Sequence, residues 1–268
     1  MSQYSFSYNY DSLYDAFNAE NRKGKIQKRY LSPEYLAAAQ EYREMRTELN
    51  KILKKKKAER TEEETSKVDQ LKQLMKNNAQ QQKILLQEHL SKVSSMILSS
   101  SFRFNLTPDV SEDPQKPLYT IGATAEEFFA MQVLCRNVKK LFKISMSSRY
   151  EILSQLKMLL REDKSRYYII RTDVCHCFES IPHNKLFEYL EGNNLLDVKS
   201  KSLLRGLIRK EFEDKNLRPL VPTLQTGIPR GCAISSLLSE FYLSKIDDVL
   251  RCKLPGIVFM ARYVDDII

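Results

Sequence analysis

Ile257-Val-Phe-Met-Ala-Arg262-Tyr263-Val264-Asp265-Asp266-Ile-Ile268 reads as an apolar strand that delivers two adjacent carboxylates to a tight turn. A second stretch has the same character. Tyr167-Tyr-Ile-Ile-Arg-Thr-Asp173 reads as a buried strand ending on a carboxylate, and Val174-Cys-His-Cys-Phe178-Glu-Ser-Ile-Pro-His183 follows it. Between them lies Gly227-Ile-Pro229-Arg230-Gly231, a Gly/Pro loop opening into a helix whose apolar members include Leu237, Leu238, Phe241, Leu243 and Ile246. Helices are expected over 148–162 and 184–213, and one from Thr124 with Glu127 three residues on, the pattern of a capping box. Strands interspersed with helices predict an α+β arrangement for this half.

The N-terminal half reads differently. Residues 1–32 are aromatic and then basic, a lead-in without a clear element. Ser32-Pro33-Glu34 is a helix start, and from there to about Ser100 no Pro or Gly occurs. Leu71, Leu74, Met75, Leu85, Leu86, Leu90, Val93 and Ile97 recur at helical steps, so two long helices packed as a hairpin are expected, with the turn in Lys54–Thr65. The run Lys54–Lys57 reads as a solvated face.

Composition narrows the classes. Of 268 residues, 42% are hydrophobic and 29% charged, which excludes fibrous and fully disordered chains. Lys and Arg exceed Asp and Glu by 43 to 34, and a net charge of +9 favours a polyanionic partner. No apolar run is long enough for a bilayer, and the N-terminus lacks the pattern of a signal peptide, so a cytoplasmic protein without membrane partners is expected. Five cysteines at irregular spacing give no disulfide framework. Cys175-His176-Cys177 lacks the second ligand pair of a zinc site and reads as packed thiols. His183 reads as a structural hydrogen-bonding group, Phe128 and Phe129 as core, and Asp247-Asp248 as a solvated helix end.

The carboxylates carry the chemistry. Like charges gathered at strand ends are unfavourable without a cation. Hard carboxylate oxygens suit Mg²⁺, and a pair of such ions suits phosphoryl transfer. Asp173 and Asp265 can serve that purpose only if folding brings them together.

Taken together and in order, the three segments resemble motifs A, B and C of reverse transcriptases. Tyr263–Asp266 matches the Tyr-x-Asp-Asp box. Gly227–Leu243 resembles the loop-helix of group II intron and related bacterial enzymes, and Asp173–His183 resembles motif A. Ser148-Arg149 and the helix after it are similar to the stretch before motif A. The resemblance covers about residues 145–268, and its flavour is bacterial, nearest to the abortive-infection type of antiviral defence. Three positions depart from the pattern: Arg230 stands for Gln, Ser236 for Pro and Glu240 for Asn.

This resemblance implies a right-hand polymerase of α+β class. Residues 1–100 would form a helical N-terminal extension, 101–172 the fingers and start of the palm, and 173–268 the palm with interleaved fingers helices. The thumb would be absent, the chain ending just after its Tyr-Val-Asp-Asp. It implies Asp173, Asp265 and Asp266 as catalytic carboxylates. Two Mg²⁺ ions, with Mn²⁺ as a substitute, would be held by these side chains and the Val174 carbonyl. Phe178 would pack against the incoming sugar and exclude a 2′-hydroxyl. Gly227, Pro229, Arg230 and Gly231 would line the nascent base pair, and Tyr263 the primer end. Arg103, Arg149 and Arg166 are candidates for triphosphate or template contact. Implied partners are dNTPs, an RNA template, a DNA primer or protein hydroxyl, a noncoding RNA, and a second copy or sister polymerase subunit. Synthesis is either RNA-templated or template-free. The competing expectations are a catalytically silent nucleic-acid-binding subunit and an assembly protein.

Overall fold

The computed structural model describes residues 7–55, 60–109, 118–162, 166–192, 196–209 and 226–268. The described residues are mostly helical with two small sheets, and the chain divides into two compact units.

One unit comprises residues 8–102 and 123–130. Its helices are α1 (Tyr10–Arg22), α2 (Pro33–Leu53) and α3 (Glu62–Leu98). The lead-in reading of residues 1–32 is corrected by α1. Asn9 caps this helix through a 3.0 Å bond from the Ser12 amide, and Leu13, Ala16 and Phe17 make a buried face at helical spacing. Ser32 caps α2 with Pro33 at its first position, as expected. Thr61 and Glu64 form a reciprocal capping box at the start of α3. The α2–α3 hairpin has its apolar seam at Leu49, Val68 and Leu71, extended by Met45, Ile52 and Met75. Leu74 lies off the seam and is exposed. A polar layer crosses the seam: the buried Asn78 donates to Glu41 at 2.9 Å and accepts from Gln82 at 2.7 Å. In the expected turn, Lys55 pairs with Glu64, while Lys56 and Lys57 lie outside the described residues. Tyr30 stacks on Phe128 at 4.2 Å between centroids, and Phe129 is fully buried, so both phenylalanines serve packing.

Helix α4 (Ala125–Leu141) starts in this unit behind the Thr124–Glu127 capping box and continues into the other, which holds 103–122 and 131–268. There β1 (Thr107–Asp109) and β2 (Leu118–Thr120) pair antiparallel. Helices α5 (Arg149–Glu162), α6 (Cys177–Ser180), α7 (His183–Glu191), α8 (Val198–Ile208) and α9 (Ala233–Lys253) follow. The 184–213 segment is thus two helices, and residues 210–225 lie outside the described set. Ile234, Leu237, Leu238, Phe241 and Leu243 on α9 are buried, with Phe142 at 4.4 Å and Tyr189 at 6.5 Å from the Phe241 ring.

Strands β3 (Thr172–Asp173), β4 (Arg262–Tyr263) and β5 (Asp266–Ile267) form one sheet in the order β3-β5-β4. Both apolar runs are shorter as strands than their sequences predict. Tyr168 and Ile170 are 98% and 75% exposed, so the buried-strand reading of 167–173 does not hold. A strand needs a paired neighbour, and β5 offers β3 two rungs, Thr172↔Ile267 and Asp173↔Asp266. Residues 257–261 likewise lie outside any strand. No helix among the described residues is long and apolar enough to cross a membrane.

Candidate active site

Asp173 on β3 faces Asp266 on β5 directly across an antiparallel ladder, and the next amide, Val174 N–H, donates to the Asp265 carbonyl at 3.1 Å. Residues opposite one another in such a ladder share a sheet face, with Cα atoms about 4.5–5.5 Å apart. The Asp173 and Asp266 carboxylates, separated by 93 positions, are thereby brought to one face of the sheet. Asp265 sits in the two-residue turn between β4 and β5, beside Val264 at φ 60°. Tyr263 pairs with Asp266, and Ala261 and Ile268 exchange two 2.9 Å bonds that close the hairpin. The second strand of this hairpin therefore begins within the chain.

Asp266 is engaged by Arg171, whose Nη2 and Nε donate to Oδ1 at 2.9 and 3.3 Å. The bond to Asp266 raises the Arg171 pKa, with the Asp266 and Asp173 charges adding to it. Among the described residues no three His, Cys, Asp or Glu side chains converge as a ready-made metal cage. The donor chemistry, hard carboxylate oxygen on one sheet face, nonetheless suits a divalent cation.

A buried ion cluster holds the turn from behind. The Arg262 side chain is 4% exposed. It makes bidentate contacts to Asp247 at 2.8–3.0 Å, to Glu240 at 2.8 and 2.9 Å, and donates to the Val264 carbonyl at 2.8 Å. Burial opposes the guanidinium charge, and the bonds to Asp247 and Glu240 outweigh it, so its pKa lies above the ordinary arginine range. Asp247 is therefore no solvated helix end; its side chain is 19% exposed and committed to Arg262. Glu240, the departure from the family's Asn, is the other half of the clamp. The available signal was a lone Arg in an apolar strand run, which demands an acidic partner when its face is buried.

The Gly/Pro loop is stitched to the segment after Asp173. Gly227 N–H donates to Ile181 O and Ile228 N–H to Phe178 O, both at 2.8 Å, and the His183 ring nitrogen donates to Gly227 O at 2.6 Å. His183 thus has its expected structural role. On the loop's other side Tyr119 N–H donates to Arg230 O at 2.7 Å. Arg230 reaches Glu179 at 3.0 Å and lies 5.9 Å from the centre of the Phe178 ring. The Pro229 carbonyl accepts from Ser235 Oγ at 2.5 Å. Gly231 is required by two facts: φ is +85°, and a Cβ there would meet the Tyr119 carbonyl at 2.8 Å. Gly231→Ala is expected to cost about 1–3 kcal/mol in urea denaturation. A change within experimental error would show that the loop is not held at this spacing.

The remaining residues fall into place around these. Arg149 stands 5.5 Å from the centre of the Tyr263 ring, which is 40% exposed. Cys177 is buried beside Ser239, as a packed thiol should be, whereas Cys175 is exposed and the packed reading does not hold for it. Burial pushes the Cys232 thiol up to about 12. Arg103 lies close enough to Lys199 for its charge to lower the Lys199 pKa.

Comparison with known proteins gives this arrangement its class. Residues 123–268 match the family model for reverse transcriptase (RNA-dependent DNA polymerase), more than half of the chain, and the chain belongs to that family. Such domains work with divalent metal ions, a nucleic-acid template and primer, and dNTPs. Two curated relatives are intron proteins of yeasts. The protein named for COX1/OXI3 intron 2 of Saccharomyces cerevisiae is 36% identical over 86 residues, 32% of this chain and 10% of that protein. An uncharacterized 91 kDa protein in the cob intron of Schizosaccharomyces pombe is 25% identical over 174 residues, 56% of this chain and 20% of that protein. The chain thus spans a fifth or less of the length of either relative.

Proposed function

We propose that this chain carries the fingers and palm of a reverse transcriptase that extends a 3′-hydroxyl with dNTPs by two-metal-ion nucleotidyl transfer. The observation that carries the reading is the register Asp173↔Asp266, locked by the Val174–Asp265 bond. Asp173, Asp265 and Asp266, with the Val174 carbonyl, would hold two Mg²⁺ ions, for which Mn²⁺ can substitute. The ions, when bound, neutralise the phosphate charge and polarise the attacking and leaving oxygens. The protein's own part is positioning. Arg262 holds the turn that presents Asp265. Gly227 and Gly231 let the loop run close to Glu179 and Tyr119, forming the floor for a base pair. Arg230, fixed by Glu179, adds a cation at the Phe178 ring, where a triphosphate needs one. Phe178 would crowd a 2′-hydroxyl, and Tyr263 would flank the primer end.

Phe178→Val tests the assignment of that pocket. It is expected to raise rNTP incorporation relative to dNTP by about tenfold or more, read by single-nucleotide extension on an RNA template. Unchanged discrimination would move the sugar contact elsewhere.

The two intron proteins among the relatives support a group II-like lineage within this proposal. A role in bacterial antiviral defence, a cytoplasmic setting, a noncoding RNA partner and a sister polymerase subunit rest on the motif resemblance alone. A catalytically silent nucleic-acid-binding subunit is the second reading. The Arg171–Asp266 ion pair favours it, because the guanidinium occupies a carboxylate oxygen that a cation would otherwise use. Mg²⁺-dependent incorporation by the purified chain separates the two.

A further inference from the structure

Helix α8 carries a row of cations that the polymerase reading does not use. Lys201, Arg205 and Arg209 recur at four-residue steps, so they project from one face. Four helical residues advance about 6 Å, comparable with the gap between successive phosphates on a nucleic-acid strand. Between the cations, at the same spacing, stand Ser202 and Gly206, which leave the floor of this face low. Arg103, from the segment before β1, closes the other side. Together with the exposed Val198, these six residues line a groove of about 300 Å³. None belongs to the carboxylate strands or to the Gly/Pro loop.

The electrostatics point the same way. Lys199 sits next to this face, and burial followed by the nearby Arg103 charge pushes its ammonium below the ordinary lysine range. Among the described residues, Glu191 and Asp197 border the row. Glu191 pairs with Arg205 at 2.5 Å and leaves it half exposed. Asp197 spends one oxygen capping α8 at the Ser200 amide. A row of charges at regular steps over a low polar floor suits a repeating polyanion. Guanidinium and ammonium groups, with the Ser202 hydroxyl, are phosphate-binding chemistry.

We infer that the α8 face and Arg103 form an accessory groove for the phosphodiester backbone of a single-stranded nucleic acid, distinct from the paired-carboxylate site. RNA and DNA offer the same phosphates, so the groove takes either. Binding there does not depend on whether the carboxylates polymerise anything.

Fluorescence anisotropy of the full chain with labelled oligo(U) and oligo(dT) of equal length, over a KCl series, tests this. Lys201→Gln/Arg209→Gln is expected to weaken binding roughly tenfold or more near physiological salt and to make the log K against log salt slope shallower by about 1.4, two single-strand phosphate contacts. The loss should be equal on RNA and DNA. Ser202→Glu, which places an anion on the floor and keeps the rim cations, should weaken binding too. Lys76→Gln/Lys92→Gln removes the same charge from exposed positions on α3 and should leave the slope unchanged. Circular dichroism confirms that each variant is folded. An unchanged slope in both α8 variants would overturn the proposal. So would an equal slope change in the α3 control, which would reduce the effect to net charge. A loss confined to RNA would also overturn it, by moving recognition from phosphate to the 2′-hydroxyl.

Discussion

Asp265→Asn is expected to lower Mg²⁺-dependent dNTP incorporation by about three orders of magnitude, the equivalent of several kcal/mol of transition-state stabilisation. The substitution changes one oxygen to an amide and leaves the fold its supports. The backbone carbonyl that accepts from Val174 is untouched, and Asn is at home in tight turns. Melting temperature should stay within a few degrees of the parent, so the loss can be assigned to chemistry. Asp173→Asn should behave alike, because both carboxylates would hold the ions and the Val174–Asp265 bond ties their backbones together. Primer extension at saturating dNTP, with the melting curve alongside, is the measurement. Retention of full activity in either variant would remove these carboxylates from the reaction.

Arg262→Met is expected to destabilise the protein by about 3–5 kcal/mol and to lower its melting temperature by roughly 10 °C. The magnitude follows from what the substitution leaves behind. Glu240 and Asp247, 15% and 19% exposed, would face each other with no cation between them. The Val264 carbonyl would also lose its 2.8 Å donor. That last contact links stability to the site, since Val264 is a β-branched residue at positive φ and such a conformation costs about 1–3 kcal/mol unless its surroundings hold it. Arg262→Lys keeps the charge and loses the fork, so an intermediate loss is expected. Chemical denaturation separates these outcomes. A loss below about 1 kcal/mol for Arg262→Met would mean the cluster is no more than a surface ion pair.

Chemistry-bearing residues were legible where their type and spacing were constrained. A carboxylate at a strand end, a Gly/Pro loop before a helix and a second carboxylate pair marked out the candidate site before any geometry. The helix starts at Ser32 and Thr124 could be read because capping is local. Strand lengths could not. Tyr167–Arg171 and Ile257–Ala261 have strand composition, but pairing is a property of the neighbour, and β5 supplies two rungs to each side. The Arg262 cluster was hidden for a related reason. Its partners lie 15 and 22 positions away on another element, and an Asp-Asp pair on a helix looks solvated until a buried cation is placed against it. Glu240 looked like a departure from the family pattern, whereas in this chain it completes that cluster. Helix α1 was missed because tyrosines and asparagines dilute its propensity, although Asn9 with Leu13 and Phe17 carried the signal.

Mn²⁺ titration followed by electron paramagnetic resonance, on the parent, Asp173→Asn, Asp265→Asn and the double variant, addresses most directly whether distant carboxylates share one cation site. Shared coordination predicts that either single change abolishes the tight class of Mn²⁺ and that the double change weakens binding little further. Tight binding that survives both single changes, or losses that simply add, would place the two side chains in separate environments and contradict the account.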